Sequence, residues 1–142
     1  MKFLLDTDHI SILQRRSEPG LSSILTSIGR CAASAWGYSI ISFQEQLLGC
    51  NKYITQSNSP ADCVRGYEML ERVLRDFCGV IVLPFDLPAD TLFHRLRKQQ
   101  VRIATMDLRI ASIALSRGLI LVTRNVKDFG KVPGLVIEDW TV

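Results

Sequence analysis

At 142 residues the chain is long enough for one domain with its own core, spanning residues 1–142, and too short for two ordinary ones. With 47% hydrophobic and 22% charged residues it is neither disordered nor collagen-like, and it lacks a coiled-coil composition. Lys and Arg number 17 against 14 Asp and Glu, a net charge of +3 that permits a polyanionic partner without requiring one.

In chain order, the apolar run Lys2-Phe3-Leu4-Leu5 is too short for a helix and stops at Asp6, which predicts a buried strand. Residues 8–32 predict two short helices broken near Pro19-Gly20. Tyr38-Ser39-Ile40-Ile41 predicts a second strand. Ser59-Pro60 then reads as an N-cap with proline at the first helical position, opening a helix whose Val64, Tyr67, Leu70, Leu74 and Phe77 recur at three- and four-residue spacing up to Gly79. Val80-Ile81-Val82-Leu83 is the third predicted strand, and a helix over Leu87–Gln99 follows, carrying the basic run Arg95, Arg97 and Lys98. A broad apolar stripe predicts a helix over Met106–Arg117, ended by Gly118. Leu119-Ile120-Leu121-Val122 and Leu135-Val136-Ile137 are the fourth and fifth strands. Strands buried on both faces and separated by helical crossovers predict an α/β three-layer sandwich with a mainly parallel sheet.

Cys31, Cys50, Cys63 and Cys78 form no C-x-x-C pair, and only His9 and His94 are there to join them, so the cysteines read as core filler in a reducing compartment rather than zinc ligands. Both histidines read as surface or loop residues, and Trp36 and Trp140 as packing. The start lacks a signal-peptide pattern and no apolar run reaches 18 residues, which predicts a cytoplasmic protein without a membrane span.

In parallel sheets function sits beyond the carboxyl ends of the strands. Asp6 follows the first strand there, Ser42 and Glu45 follow the second, and the fourth runs into Thr123-Arg124-Asn125 with Asp128 three residues on. Asp107 opens the helix leading into the fourth strand. A helix antiparallel to the sheet begins at that same edge, so these groups can converge. Two carboxylates about 5 Å apart repel by roughly 3 kcal/mol at an effective dielectric near 20, so convergence needs protons or a metal. An oxygen-only ligand set suits a hard ion such as Mg²⁺ or Mn²⁺. Read singly, the residues have plainer roles: Ser42-x-x-Glu45 is a capping box, Asp107 complements a helix dipole and Asp128 is a turn residue. Asp6 is the hardest to explain that way, because a charge directly after a buried strand needs a partner.

The segments Phe3-Leu4-Leu5-Asp6-Thr7-Asp8, Ile41-Ser42-Phe43-Gln44-Glu45, Ala104–Ala111 and Leu121–Phe129 resemble, in order, the motifs of PIN-domain ribonucleases of the VapC toxin type. Leu83-Pro84-Phe85-Asp86 and the closing Val132-Pro133-Gly134-Leu135 to Glu138-Asp139-Trp140 are similar to that family as well. The resemblance covers nearly the whole chain. It implies Mg²⁺- or Mn²⁺-dependent endonuclease cleavage of structured RNA, with Asp6, Glu45 and Asp107 at the acidic metal-binding positions. Asn125 stands where many members have a fourth Asp, and Asp128 is the candidate to supply the missing charge. Asp8 falls where many relatives have Asn, and Thr123 matches the polar residue that orders the site. Arg95, Arg109 and Arg124 are candidate contacts to the RNA backbone, Arg109 alternatively pairing with an acid inside the fold. The resemblance further implies a cognate antitoxin as partner and a homodimer. Leu4-Leu5-Asp6-Thr7-Asp8 also resembles the D-x-D opening of haloacid-dehalogenase-type phosphatases, but the paired acids expected late in that family are absent. A PIN-like module that binds RNA or protein without cutting is the alternative from another class.

Overall fold

A computed structural model describes residues 1–142. Its sheet holds five strands, β1 (Phe3–Leu5), β2 (Trp36–Ser39), β3 (Val82–Leu83), β4 (Ile120–Val122) and β5 (Ile137–Glu138), in the order β3-β2-β1-β4-β5. All four pairings are parallel, with Leu4 opposite Gly37 on one side and Leu121 on the other. The mainly parallel sheet expected from the sequence is therefore wholly parallel, and every strand delivers its carboxyl end to the same edge.

Alternation along the short strands sorts their side chains to two cores. Leu4 and Leu121 point into one with Phe93, Leu96, Ile110, Ala111 and Phe129, while Phe3, Leu5 and Val122 point into the other with Ile10, Tyr38, Phe77 and Trp140. Helices α1 (Thr7–Arg15), α2 (Gly20–Gly29), α3 (Ile40–Thr55) and α4 (Pro60–Cys78) supply the second core. Helices α5 (Leu87–Lys98), α6 (Thr105–Ser116) and the short α7 (Val126–Phe129) supply the first. The result is the three-layer sandwich.

Several local expectations shift. Ile40 and Ile41, expected to end the second strand, form the first turn of α3, because the Ser39 side chain accepts the Ser42 N–H at 3.1 Å and caps the helix there. The Ser42-x-x-Glu45 capping box is thus not formed. On α4 the Ser59 cap and the Pro60 start hold, but the buried line is Gly66, Val73 and Phe77, whereas Val64, Tyr67 and Leu74 are more than half exposed. Gly66 sets that face. A Cβ there would sit 2.5 Å from the Ile54 side chain, so α3 packs directly onto the α4 backbone. Of the four cysteines, all free, only Cys50 is buried; Cys78 is exposed, so the core-filler reading holds for one of them.

His9 is the clearest correction: expected at the surface, it is fully buried. Its Nε2 accepts the Trp140 backbone N–H at 3.1 Å, which places the ring proton on Nδ1, where it is donated to Asp8 Oδ1 at 2.7 Å. Trp140 in turn packs edge-on against Phe3, ring centroids 4.9 Å apart. This clasp ties the residues after β5 to the first turn of α1. Replacing His9 by Ala removes a buried ring and leaves the Trp140 N–H without an acceptor. We predict a loss of about 2–4 kcal/mol in urea unfolding, and a loss under about 0.5 kcal/mol would contradict the clasp.

Candidate metal centre at the carboxyl edge of the sheet

Asp6 leaves β1 and at once caps α1, its Oδ1 accepting the Thr7 N–H at 2.8 Å. Its Oδ2 accepts the hydroxyl of Thr123, the first residue after β4, at 2.8 Å. Only 5% of Asp6 is exposed and Thr123 is fully buried. Because β1 and β4 are paired and parallel, residues directly after each strand become neighbours, which is how positions 117 apart in sequence share a hydrogen bond.

Glu45 lies in the second turn of α3, which β2 feeds, and Thr7 Oγ1 donates to its Oε1 at 3.1 Å. Having spent its proton on Glu45, the Thr7 hydroxyl accepts from Ser42 Oγ at 2.8 Å, and Ser39 donates to Ser42 at 3.3 Å. A file of buried hydroxyls therefore runs from the end of β2 to Glu45. Asp107 sits in the first turn of α6, half-buried, with no hydrogen bond to its carboxylate. Asn125 caps α7: its side chain accepts the Asp128 N–H at 3.2 Å and donates to Asp128 Oδ2 at 3.1 Å, so its amide is committed to holding Asp128.

The acids feel one another. Burial pushes the Asp6 carboxyl up to about 7, with the Asp8 and Asp107 charges adding to it and the Thr123 and Thr7 bonds opposing. Burial also raises Glu45, against the Thr7 hydrogen bond and reinforced by Asp107. Asp107 is raised by burial, then by Asp128 and Asp8. Asp8 differs: burial alone would raise it, but the hydrogen bonds from His9 and from the Arg124 N–H at 2.9 Å hold it below the usual carboxylate range. Asp6, Glu45 and Asp107 make no ion pair, whereas Asp128 beside them pairs with Lys131 at 3.7 Å.

The five predicted site residues thus share one edge, Asp6, Glu45 and Asp107 as mutually repelling acids, Asp128 beside them and Asn125 behind Asp128. Their oxygens are the donor set that hard divalent cations take, and Asp6, Glu45 and Asp107 have no ion-pair partner, so their chemistry fits such an ion. No three His, Cys, Asp or Glu side chains are gathered closely enough to grip one ion as they stand. Like charges without a cation between them favour separation, and the hydroxyl bonds draw Asp6 and Glu45 toward Thr123 and Thr7.

Of the arginines singled out from the sequence, Arg95 faces away, lining a depression with Leu87, Thr91 and Ser116. Arg109 finds no acid and lies 5.3 Å over the Phe93 ring. Arg124 is exposed just beyond Thr123 and gives its backbone N–H to Asp8. Sequence reading missed Thr7, Ser39 and Ser42 as supports of the acids; the signal was three hydroxyls at strand ends that also carry acids.

A carboxyl raised by the fold keeps a proton that the unfolded chain has released, so between about pH 4 and pH 7 the folded form binds more protons and stability falls as pH rises. Asp8, held low, works the other way and loses its contribution on acidification. Without divalent ions, urea unfolding of Asp6→Asn should flatten most of that decline, leaving the variant more stable than the parent above pH 7 by about 1–3 kcal/mol. An unchanged pH profile would remove Asp6 as the strained group.

No protein-family model matches the chain. Among curated proteins it is 30% identical over 145 residues to the tRNA(fMet)-specific endonuclease VapC of Salmonella typhimurium, covering 99% of this chain and 98% of that one. It is 26% identical over 147 residues to ribonuclease VapC1 of Rickettsia felis, covering 96% and 95%. Among solved structures it resembles DNA-bound VapBC from Salmonella typhimurium at a TM-score of 0.72 and 26% identity, over 99% and 98% of the two chains. VapBC-1 from nontypeable Haemophilus influenzae gives a TM-score of 0.68 at 27% identity over the whole of both chains.

Proposed function

The chain belongs to the VapC family of PIN-domain ribonucleases, endoribonuclease toxins of toxin-antitoxin pairs, and on that footing we propose that Asp6, Glu45 and Asp107 hold a divalent cation, Mg²⁺ or Mn²⁺, for cleavage of structured RNA. The observation that carries this reading is an acid set without an ion-pair partner, with Glu45 and Asp107 half-buried and Asp6 buried and pushed up to about 7.

Bound there, the ion would offset the carboxylate charges, lower the pKa of an attacking water and stabilise the charge gathering on the phosphodiester. The protein's own part is to present oxygens in fixed directions. Each Asp6 oxygen takes one hydrogen bond, from Thr7 N and from Thr123, and keeps a lone pair free. Thr7 occupies Glu45 Oε1 and leaves Oε2 open, and both Asp107 oxygens are open. Asp6 must give up its proton to act as ligand. Asp128 supplies the fourth charge and Asn125 acts through it, as a positioning residue.

A protein partner fits the same molecule. Leu48 on α3 and Val64, Tyr67 and Leu74 on α4 are each more than half exposed, an apolar supply suited to a small antitoxin that covers the toxin. No helix is long and apolar enough to cross a membrane. A relative named for cleavage of tRNA(fMet) makes tRNA the first structured RNA to try.

The test is incubation of the purified protein with a tRNA pool in Mg²⁺, in Mn²⁺ and in chelator. Cutting is expected with either metal, abolished by chelator, and lowered about 10³-fold by Asp6→Asn or Asp107→Asn. Cuts that persist at the parent rate in Asp6→Asn would overturn the site assignment. Failure to cut any RNA under any metal would favour a module that binds without cleaving.

A further inference from the structure

We propose that the cleft between the end of α5 and the start of α6 is a docking site for an RNA phosphate neighbouring the one that is cut, gripped by Arg97 and Arg102. The inference rests on the ribonuclease reading and names the residues by which the same site holds its substrate strand.

A cavity of about 610 Å³ opens at this corner, lined by Arg97, Gln100, Arg102 and Ala104 together with Asp128. Asp128 in this lining belongs to the acid set, and Ala104, also in the lining, leads into the first turn of α6, which carries Asp107. The cavity therefore joins two arginines to the end of the sheet where the carboxylates lie. That is the layout needed by a strand carrying one phosphate at the acids and the next a short way along.

The arginines are free to serve it. Arg75 and Arg117 are held by Glu71 and Asp86, whereas neither Arg97 nor Arg102 has an acidic partner. Arg97 is also oriented. Its guanidinium lies 5.2 Å over the Phe93 ring, and one Nη donates to the Thr105 hydroxyl at 3.3 Å, two residues before Asp107. A planar fork held by a ring face and one hydroxyl keeps its other N–H donors for phosphate oxygens, a geometry that lysine does not reproduce. Gln100 adds an exposed amide at the cleft rim. Ala104 lines the cavity and caps α6 without a side-chain acceptor, so the first amides of that helix carry no side-chain cap.

The lining favours a polyanion over a protein. Its apolar members are Val101 and Ile103, half-buried, and the small Ala104, and the exposed large apolar side chains of the molecule lie elsewhere, among them Leu48, Val64, Tyr67 and Leu74 on α3 and α4. Arg95 provides an internal control. It sits on the same helix two residues from Arg97 and faces a different depression.

The experiment measures binding of a fluorescently labelled tRNA by anisotropy, in the non-cutting Asp6→Asn background with Mg²⁺, across a salt series. Arg97→Ala and Arg102→Ala should each weaken binding about 3–10-fold and reduce the slope of log affinity against log salt by about one. Arg97→Lys should fall between, and Arg95→Ala should match the background. In the Asp6-containing protein the same two alanine variants should raise KM and leave kcat within about twofold. Inorganic phosphate should compete no better than chloride at equal ionic strength. Unchanged affinity in both alanine variants, or an equal loss in Arg95→Ala, overturns the cleft. Displacement of RNA by phosphate at low concentration reassigns it to a free anion. A background protein that binds no RNA at all overturns the ribonuclease reading, and the cleft with it.

Discussion

Burial of the Asp6 carboxyl beside half-buried acids at one edge of a parallel sheet is the constraint on which the rest of this structure turns. A wholly parallel order places the ends of β1, β2 and β4 side by side, so acids that follow these strands meet whether or not that is electrostatically favourable. Asp6, 5% exposed and raised to about 7 first by burial and then by the Asp8 and Asp107 charges, records the cost. Such strain persists where the surrounding structure over-determines the positions, and here that support comes from short strands fixed on both sides and from hydroxyls aimed at the acids. The +3 of the whole chain conceals this division. A divalent ion in the notch would leave an outer surface more basic than the total, which suits a protein that handles RNA.

Two hydrogen-bond systems hold the acids, and they treat neighbouring residues differently. The hydroxyls of Ser39, Ser42 and Thr7 lead to Glu45, and Thr123 serves Asp6. None brings a positive charge, so the acids are oriented without being neutralised. Asp8, two residues from Asp6, is instead clasped by His9 and the Arg124 N–H and driven toward ionisation. One carboxylate of the Asp6-Thr7-Asp8 segment thus builds the fold, through His9 and Trp140, and the other is held by neutral donors alone.

Much of this was legible from the residues. The strand runs end at Asp6, near Ser42 and at Thr123, and that placement alone brings the acids to one edge, as found. Asp107 needed only the rule that a crossover helix starts where its preceding strand direction ends. Harder to read were features that depend on three-dimensional competition. Ser39 captured the cap of α3 from Ser42 because β2 ends two residues earlier than its apolar run suggests. His9 looked like a loop residue because its partner, Trp140, lies 131 positions away. Arg95 and Arg97 are indistinguishable in a basic run, and only the rotation of α5 sends Arg97 to the notch and Arg95 away from it. The α4 stripe misled for a related reason: Gly66, which has no side chain to count, decides the packed face.

The central claim, that Asp6 is protonated by strain and freed for a cation, is tested most directly by calorimetric titration of Mn²⁺ into the metal-free protein near pH 6.5, in buffers of different ionisation enthalpy. The account predicts a net release of protons on binding that vanishes in Asp6→Asn. Binding that releases no proton, or the same proton release in the Asp6→Asn variant, would contradict it.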